Sequence, residues 1–470
     1  MTPAGAAPPS PTADGPAPAA PADAARRGTR FDAATWLTVY LVLLFAVPSK
    51  LVIGPLGSAG APSMVFGLGG LLLWVLLLVA SARTAPGRRR PIQIALAAFA
   101  ASAGVSYAIA MSGPMVSSEV SPADVALLAL LAWSGTLLLA HDGIRSQARL
   151  DVLVRRLALA GGALAVLGIA QFALGQLIVD QITVPGLTLT GPFEFTERNG
   201  RYRPPGTATH PIEYGVLVAM LLPPALHVAF QRTAGSRLLR WAPALALLVL
   251  VPLTGSRSTY VGVAIGVTVL ILGWPAPRRK ALLAIGGVGA VAMLVTAPGI
   301  ATSILGLFAD ADQDPSVASR TSSFSAAGEF VARDPLFGRG LGTFLPTYRI
   351  FDNQYLLLLV TVGIVGTALF AGLWLTTLRR LLHVRSASRD ERTRSLATAL
   401  AASVTAGFVS LSFFDAFAFP MTMGTLFLLI GLSGALRDPA ESNSAPAKES
   451  PGQSPAPTFH GGVSSSTMNE

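Results

Sequence analysis

The chain has 470 residues, 52% of them hydrophobic and only 12% charged, with a mean hydropathy of +0.58 and no cysteine. A soluble chain carries about 25% charged residues, so a single water-solvated core is excluded and lipid must be a major solvent. The formal charge of +10 does not indicate nucleic acid, because membrane proteins collect arginine on cytoplasmic loops. Without cysteine, disulfides, thiolate metal sites and cysteine nucleophiles are all excluded.

Only Lys50, Lys280 and Lys448 are lysines among the 34 basic residues, which, with the Ala, Gly and Pro content, resembles the product of a GC-rich bacterial genome. Residues 1–33 read as an Ala/Pro-rich cytoplasmic arm, 34–436 as a polytopic membrane domain and 437–470 as a disordered cytoplasmic tail. No cleaved signal peptide is expected, since the first apolar run starts near Ala34 and is long enough to span. The fold class is all-α. Twelve spans are predicted at 34–53, 63–80, 92–111, 122–140, 157–179, 212–230, 238–254, 258–274, 281–297, 353–376, 396–414 and 416–436. The seventh and eighth are short and separated only by Gly255, Ser256 and Arg257, so they form either a tight hairpin or a re-entrant pair.

Loop charge supports this count. With alternate loops assigned inside, 25 of the 34 basic residues fall on the cytoplasmic side, placing both termini there, in a bacterial cytoplasmic membrane. Two outer loops, 180–211 and 298–352, are longer than topology requires and are expected to be ordered. Within the second, Val317, Thr321, Phe324, Ala327 and Val331 recur at helical spacing, with Arg320, Ser323 and Glu329 on other faces, predicting an amphipathic helix. No internal repeat is evident.

Polar residues gather on the outer side in three places. The segment 201–215 contains Arg201, Arg203, Gly206, His210 and Glu213; the turn 254–260 contains Ser256 and Arg257; and 349–356 contains Asp352 and Asn353. Each has a plain reading. Arg201 and Arg203 could bind lipid phosphates, His210 could cap the sixth span, Glu213 could pair with either arginine, Asp352 and Asn353 could cap the tenth span, and Asp415 reads as a turn residue. The functional reading is that three separated segments bring polar groups to one face. Guanidinium groups match phosphate oxygens bidentately, and a nearby carboxylate or imidazole can take a proton from a sugar hydroxyl. That chemistry needs neither a metal nor a cofactor.

At these residues the chain resembles the O-antigen ligase and O-antigen polymerase family of polytopic membrane proteins. The likeness rests on Arg203, Gly206, His210 and Pro211; on Ser256 and Arg257; on Arg320, Pro335, Gly338 and Gly340; and on Asn353, Tyr355, Gly363 and Gly366. It implies glycan transfer from a polyprenyl-diphosphate-linked oligosaccharide to a glycan or lipid acceptor, with Arg203 and Arg257 on the diphosphate and Arg201 beside them. The family usually has a catalytic His where this chain has Asp352, leaving Asp352 as the catalytic group with His210 and Glu213 as further bases. A lipid-linked glycan flippase or transporter is the rival class. Such a protein would place charges at broken helices near the midplane, whereas these spans are nearly free of ionisable residues.

Overall fold

The computed structural model describes residues 32–81, 90–194, 196–198, 200–231, 236–309 and 315–436. Nearly all of both terminal arms, and the loop arginines Arg83, Arg88, Arg89 and Arg232, lie outside the described residues. Each of the twelve predicted segments overlaps a helix. The first half contains α1 (Ala33–Ala46), α2 (Pro62–Ser81), α3 (Pro91–Ser112), α4 (Ser117–Gly143), α5 (Gln147–Leu174) and α6 (Pro211–Phe230). The second contains α7 (Arg237–Leu253), α8 (Arg257–Gly273), α9 (Ala276–Thr296), α10 (Pro298–Ala309), α11 (Pro315–Arg333), α12 (Gln354–Thr361), α13 (Gly363–Ala387), α14 (Glu391–Ser410) and α15 (Pro420–Ala435). Among the described residues, seven helices are long and apolar enough to cross a membrane.

Helix α6 is the axis of the bundle. Seventeen of its twenty residues are buried, enclosed by α5, α7, α8 and α14. The close approach of α6, α8 and α14 depends on small residues: a Cβ at Gly215 would collide with Thr259, and one at Gly262 would press on Ser410 and Ala219. A second group packs α4 against α1, α2, α3 and α15.

The sequence reading is corrected at four points. The first predicted span ends at Ala46, because Val47 precedes Pro48 and is held extended; residues Leu51–Ile53 instead form β1, antiparallel to β2 (Leu187–Leu189). With β3 (Glu197–Arg198) paired to β4 (Arg201–Tyr202), two small sheets decorate the helical fold. The loop 298–352 holds α10 as well as the expected amphipathic helix. That helix, α11, keeps part of the predicted face, with Ala327 buried and Val331 half-buried, but Ser323 is buried while Phe324 is 59% exposed. Its inner side packs on an aromatic group in which Phe344 meets both Phe330 and Phe351.

The fourth correction is the tenth span, which breaks between α12 and α13 at Gly363, where φ is +68°. The loop 335–340 fills the break. Arg339 and Gly340 donate their N–H groups to the carbonyls of Val360 and Thr361, while Ile364 and Val365 donate to the carbonyls of Pro335 and Leu336. Orphaned groups on both sides of the interruption are thereby satisfied. A Cβ at Gly363 would lie 2.3 Å from the Leu336 carbonyl oxygen, which explains a glycine on this side of the contact. The family-like glycines are thus a helix-break clamp.

Candidate functional site

The polar groups singled out from sequence collect where α6, α8, α12 and α15 begin. The segment leading into α6 is shaped first by Gly206, whose φ is +59° and whose N–H and C=O are both held by the Gln171 side-chain amide, at 2.9 and 3.1 Å. A Cβ there would come 2.6 Å from the Tyr214 ring. Gly206→Ala is therefore expected to destabilise the protein by roughly 1–3 kcal/mol, through left-handed strain and overpacking together. A thermal unfolding midpoint unchanged from wild type would contradict this.

That bend delivers Arg203 to the turn before α8. Arg203 is 7% exposed and donates through Nε to the Thr254 carbonyl at 3.3 Å, with its side-chain carbons against Gly255. Burial, assisted by the charge of Arg198, lowers its pKa to about 10, so it stays cationic at neutral pH. Arg201 lies over the start of α10, where a Cβ on Gly299 would meet its guanidinium. Arg198, Arg201 and Arg203 all line one small cleft, together with Tyr202, Gly255, Tyr260 and Ser303. Among the described residues lining it there is no carboxylate. Three guanidinium groups lining a common space are suited to binding an anion.

Ser256 and Arg257 follow the same turn. Arg257 opens α8 but is not among the residues lining the cleft, and Ser256 shares a hydrogen bond with Ser258 at 2.8 Å. Arg198 was missed in the sequence reading because nothing in its local pattern distinguishes it from an interfacial arginine.

The other predicted groups divide between scaffold and cavity. Glu213 is fully buried and pairs with neither arginine through any described hydrogen bond or ion pair. Its carboxylate accepts from the Thr209 N–H and hydroxyl and from the N–H groups of Met421 and Thr422, tying the start of α6 to the first turn of α15. His210 caps α6, its Nδ1 accepting from the Ile212 N–H at 3.1 Å, which puts the ring proton on Nε2. Burial, then Arg203 and Lys50, push its pKa down to about 4 against an opposing pull from Glu194, so the ring is neutral. Asn353 caps α12 through Tyr355 and Leu356. Arg320 lies on α11 in a turn whose side chains fall outside those described.

Asp352 takes φ +51°, the one non-glycine residue in the left-handed region among those described. Beside it stands Asp415, whose Oδ1 accepts from the Asn353 N–H at 3.2 Å. Burial raises the Asp415 pKa to about 6, against hydrogen bonds from the Asn353 and Phe351 backbones, and the Asp352 charge adds to the rise. Asp415 faces a cavity of about 550 Å³ lined also by Lys50, Trp133, Thr209, Arg349, Gln354 and Phe417. This carboxylate had read as a turn residue. The available signal was that a lone acid between two long apolar segments is by default functional.

The turn contacted by Arg203, the break clamped by loop 335–340, and the Asp352–Asn353 cap lie in one continuous stretch. Residues 242–371 match the O-antigen ligase family. No curated protein matches the chain. The O-antigen ligase match runs from within α7 to the first third of α13; the Arg198–Glu213 segment and Asp415 lie outside it and join it through the Thr254 and Asn353 hydrogen bonds. The protein is therefore a multi-helix membrane protein in which residues 242–371 are similar to the O-antigen ligase family, a likeness that implies glycan transfer in polysaccharide biosynthesis.

Proposed function

We propose that this protein transfers a glycan from a polyprenyl-diphosphate donor to an acceptor sugar hydroxyl at the outer face of a bacterial cytoplasmic membrane. Its chain crosses twelve times, with both termini cytoplasmic. The observation that carries the reading is the cleft lined jointly by Arg198, Arg201 and Arg203, against the turn that opens α8. The donor diphosphate rests at the mouth of this cleft, whose interior of about 20 Å³ is too small to enclose it, with Arg257 at the adjoining helix start and the glycan directed toward the cavity lined by Asp415. Lys50 lines this cavity, and its charge, like that of Arg203, acts on His210.

The reaction is a single inverting displacement. The acceptor oxygen attacks the anomeric carbon, the bond from that carbon to the diphosphate oxygen breaks, and the acceptor proton passes to Asp415. The arginines stabilise the charge that grows on the departing polyprenyl diphosphate, where fixed cations act most strongly. Asp415, with Asp352 beside it, suits the base better than the other acids. Glu213 has its oxygens engaged by backbone and hydroxyl donors, and the basic Nδ1 of His210 is committed to its helix cap.

Reconstitution into vesicles with synthetic polyprenyl-diphosphate oligosaccharide tests the assignment. The expected result is a new glycosidic linkage of inverted configuration with release of polyprenyl diphosphate. A ladder of repeats would mark a polymerase, and a single transfer to a distinct acceptor a ligase. Movement of the intact donor across the vesicle membrane without linkage formation would refute the enzyme and favour a flippase.

A further inference from the structure

The opposite ends of the same helices enclose a second cationic chamber. Helix α6 has 20 residues, so Phe230 lies about 30 Å along the axis from His210. Helix α8 likewise runs from Arg257 to Gly273, and α14 from Glu391 toward Asp415. Around these far ends is a cavity of about 1040 Å³. Arg278, Arg385, Arg389, Arg392 and Arg394 line it, with Glu391 as the one carboxylate among the described lining residues.

Topology alone would leave such arginines exposed to water, as Arg279 and Lys280 are at the start of α9. Several of those around the chamber are instead partly withdrawn from water. Arg278 keeps 16% of its side-chain surface and pairs through Nη2 with Glu391 at 3.1 Å, while its Nη1 is buried without a partner. Arg392 pairs through Nη2 with Asp151 at 2.9 Å, while its Nε is buried without a partner. Arg385 is fixed by two bonds to the Gly273 carbonyl. Unmet guanidinium donors are costly when buried, and phosphate oxygens are their natural acceptors. One wall is apolar and aromatic, with Phe230 edge-on to Trp274 at 5.4 Å and Pro275 and Pro277 beside them. Trp beside Arg is the composition of a membrane-water interface, and basic pockets between helices there hold anionic headgroups.

We propose that this chamber binds a phosphate-bearing anion, supplied by the headgroup of an anionic phospholipid. It is separate from the arginine cleft, and it does not depend on the transfer reaction assigned above.

Native mass spectrometry of the full-length protein, titrated with phosphatidylglycerol, phosphatidylcholine or tripolyphosphate, tests this. Phosphatidylglycerol is expected to bind in preference to phosphatidylcholine, and the R278Q/R389Q/R394Q variant to lose at least about tenfold in affinity, since each cation near the headgroup contributes substantially. A charge-matched control, R279Q/K280Q/R379Q, removes three cations that do not line the cavity and should bind nearly as wild type. Arg389 and Arg394 are exposed, so R389Q/R394Q keeps the fold and decides the matter if the triple variant is misfolded. Selective binding of tripolyphosphate, lost in the same variants, would support the anion site and assign a soluble source. Equal loss in the cavity and control variants, or wild-type binding by both cavity variants, would overturn the proposal.

Discussion

Asp415→Asn lowers glycan transfer by about 10²–10⁴-fold while leaving the protein folded, the range expected on removing a positioned general base. The amide still offers an oxygen to the Asn353 N–H, so the link between the α14–α15 turn and the start of α12 is retained. The pH dependence sharpens the test. With the Asp415 pKa raised to about 6, the carboxylate is ionised and competent above that value. Activity should therefore fall about tenfold per unit as pH drops well below 6. Burial and the like charge of Asp352 both raise this pKa. Asp352→Asn removes the second contribution, so it should move the acid limb of kcat/KM to lower pH without abolishing turnover. Near wild-type rates for Asp415→Asn, with an unmoved acid limb in Asp352→Asn, would remove the carboxylate pair from the mechanism.

Arg203→Ala should be the other severe variant, losing about 10²–10³-fold in transfer, because a preplaced charge stabilising the leaving group is lost. Arg203→Lys restores the charge but not the planar pair of donors, and should recover only part of that loss. Arg257→Ala should abolish transfer while the protein still inserts. The signature separating these from general damage is kinetic: the donor KM rises and kcat falls, while the acceptor KM is unchanged. Wild-type turnover by Arg257→Ala in a purified assay would sink the diphosphate assignment. Arg203 also braces the Thr254 turn, so the Lys variant, which keeps a donor at that position, separates loss of anion binding from loss of the brace.

Much of this was legible in the linear chain. Long apolar runs locate helices because a lipid-spanning segment must satisfy its backbone internally, and the helices coincide with those runs apart from their ends. Ends are decided by local chemistry that hydropathy does not register. Pro48 stops α1 early, and Gly363 divides the tenth segment only because loop 335–340 supplies the hydrogen bonds for both sides of the break. Helix α11 had a readable period and a partly readable face: Ala327 lies against the Phe344 and Phe351 group as its spacing predicts, whereas Phe324 is exposed and Ser323 is buried.

The site was half legible. Arg203, His210, Glu213 and Asn353 stood out as polar residues at the ends of apolar runs, and all prove to sit at one end of the bundle. Sequence by itself determined that this is a membrane protein of many helices and marked the residues of the O-antigen ligase pattern, because lipid solvation and backbone turns leave local signatures. Tertiary structure alone decided which polar groups serve the fold and which face open space. Glu213 became an internal cap of α15, Asp415 became a cavity acid, and Arg198 joined Arg201 and Arg203. The physical reason is that burial, charge neighbourhood and hydrogen-bond partners are set by residues 51 to 208 positions away in the chain, as in the bonds joining Arg203 to Thr254, Asn353 to Asp415 and Glu213 to Met421.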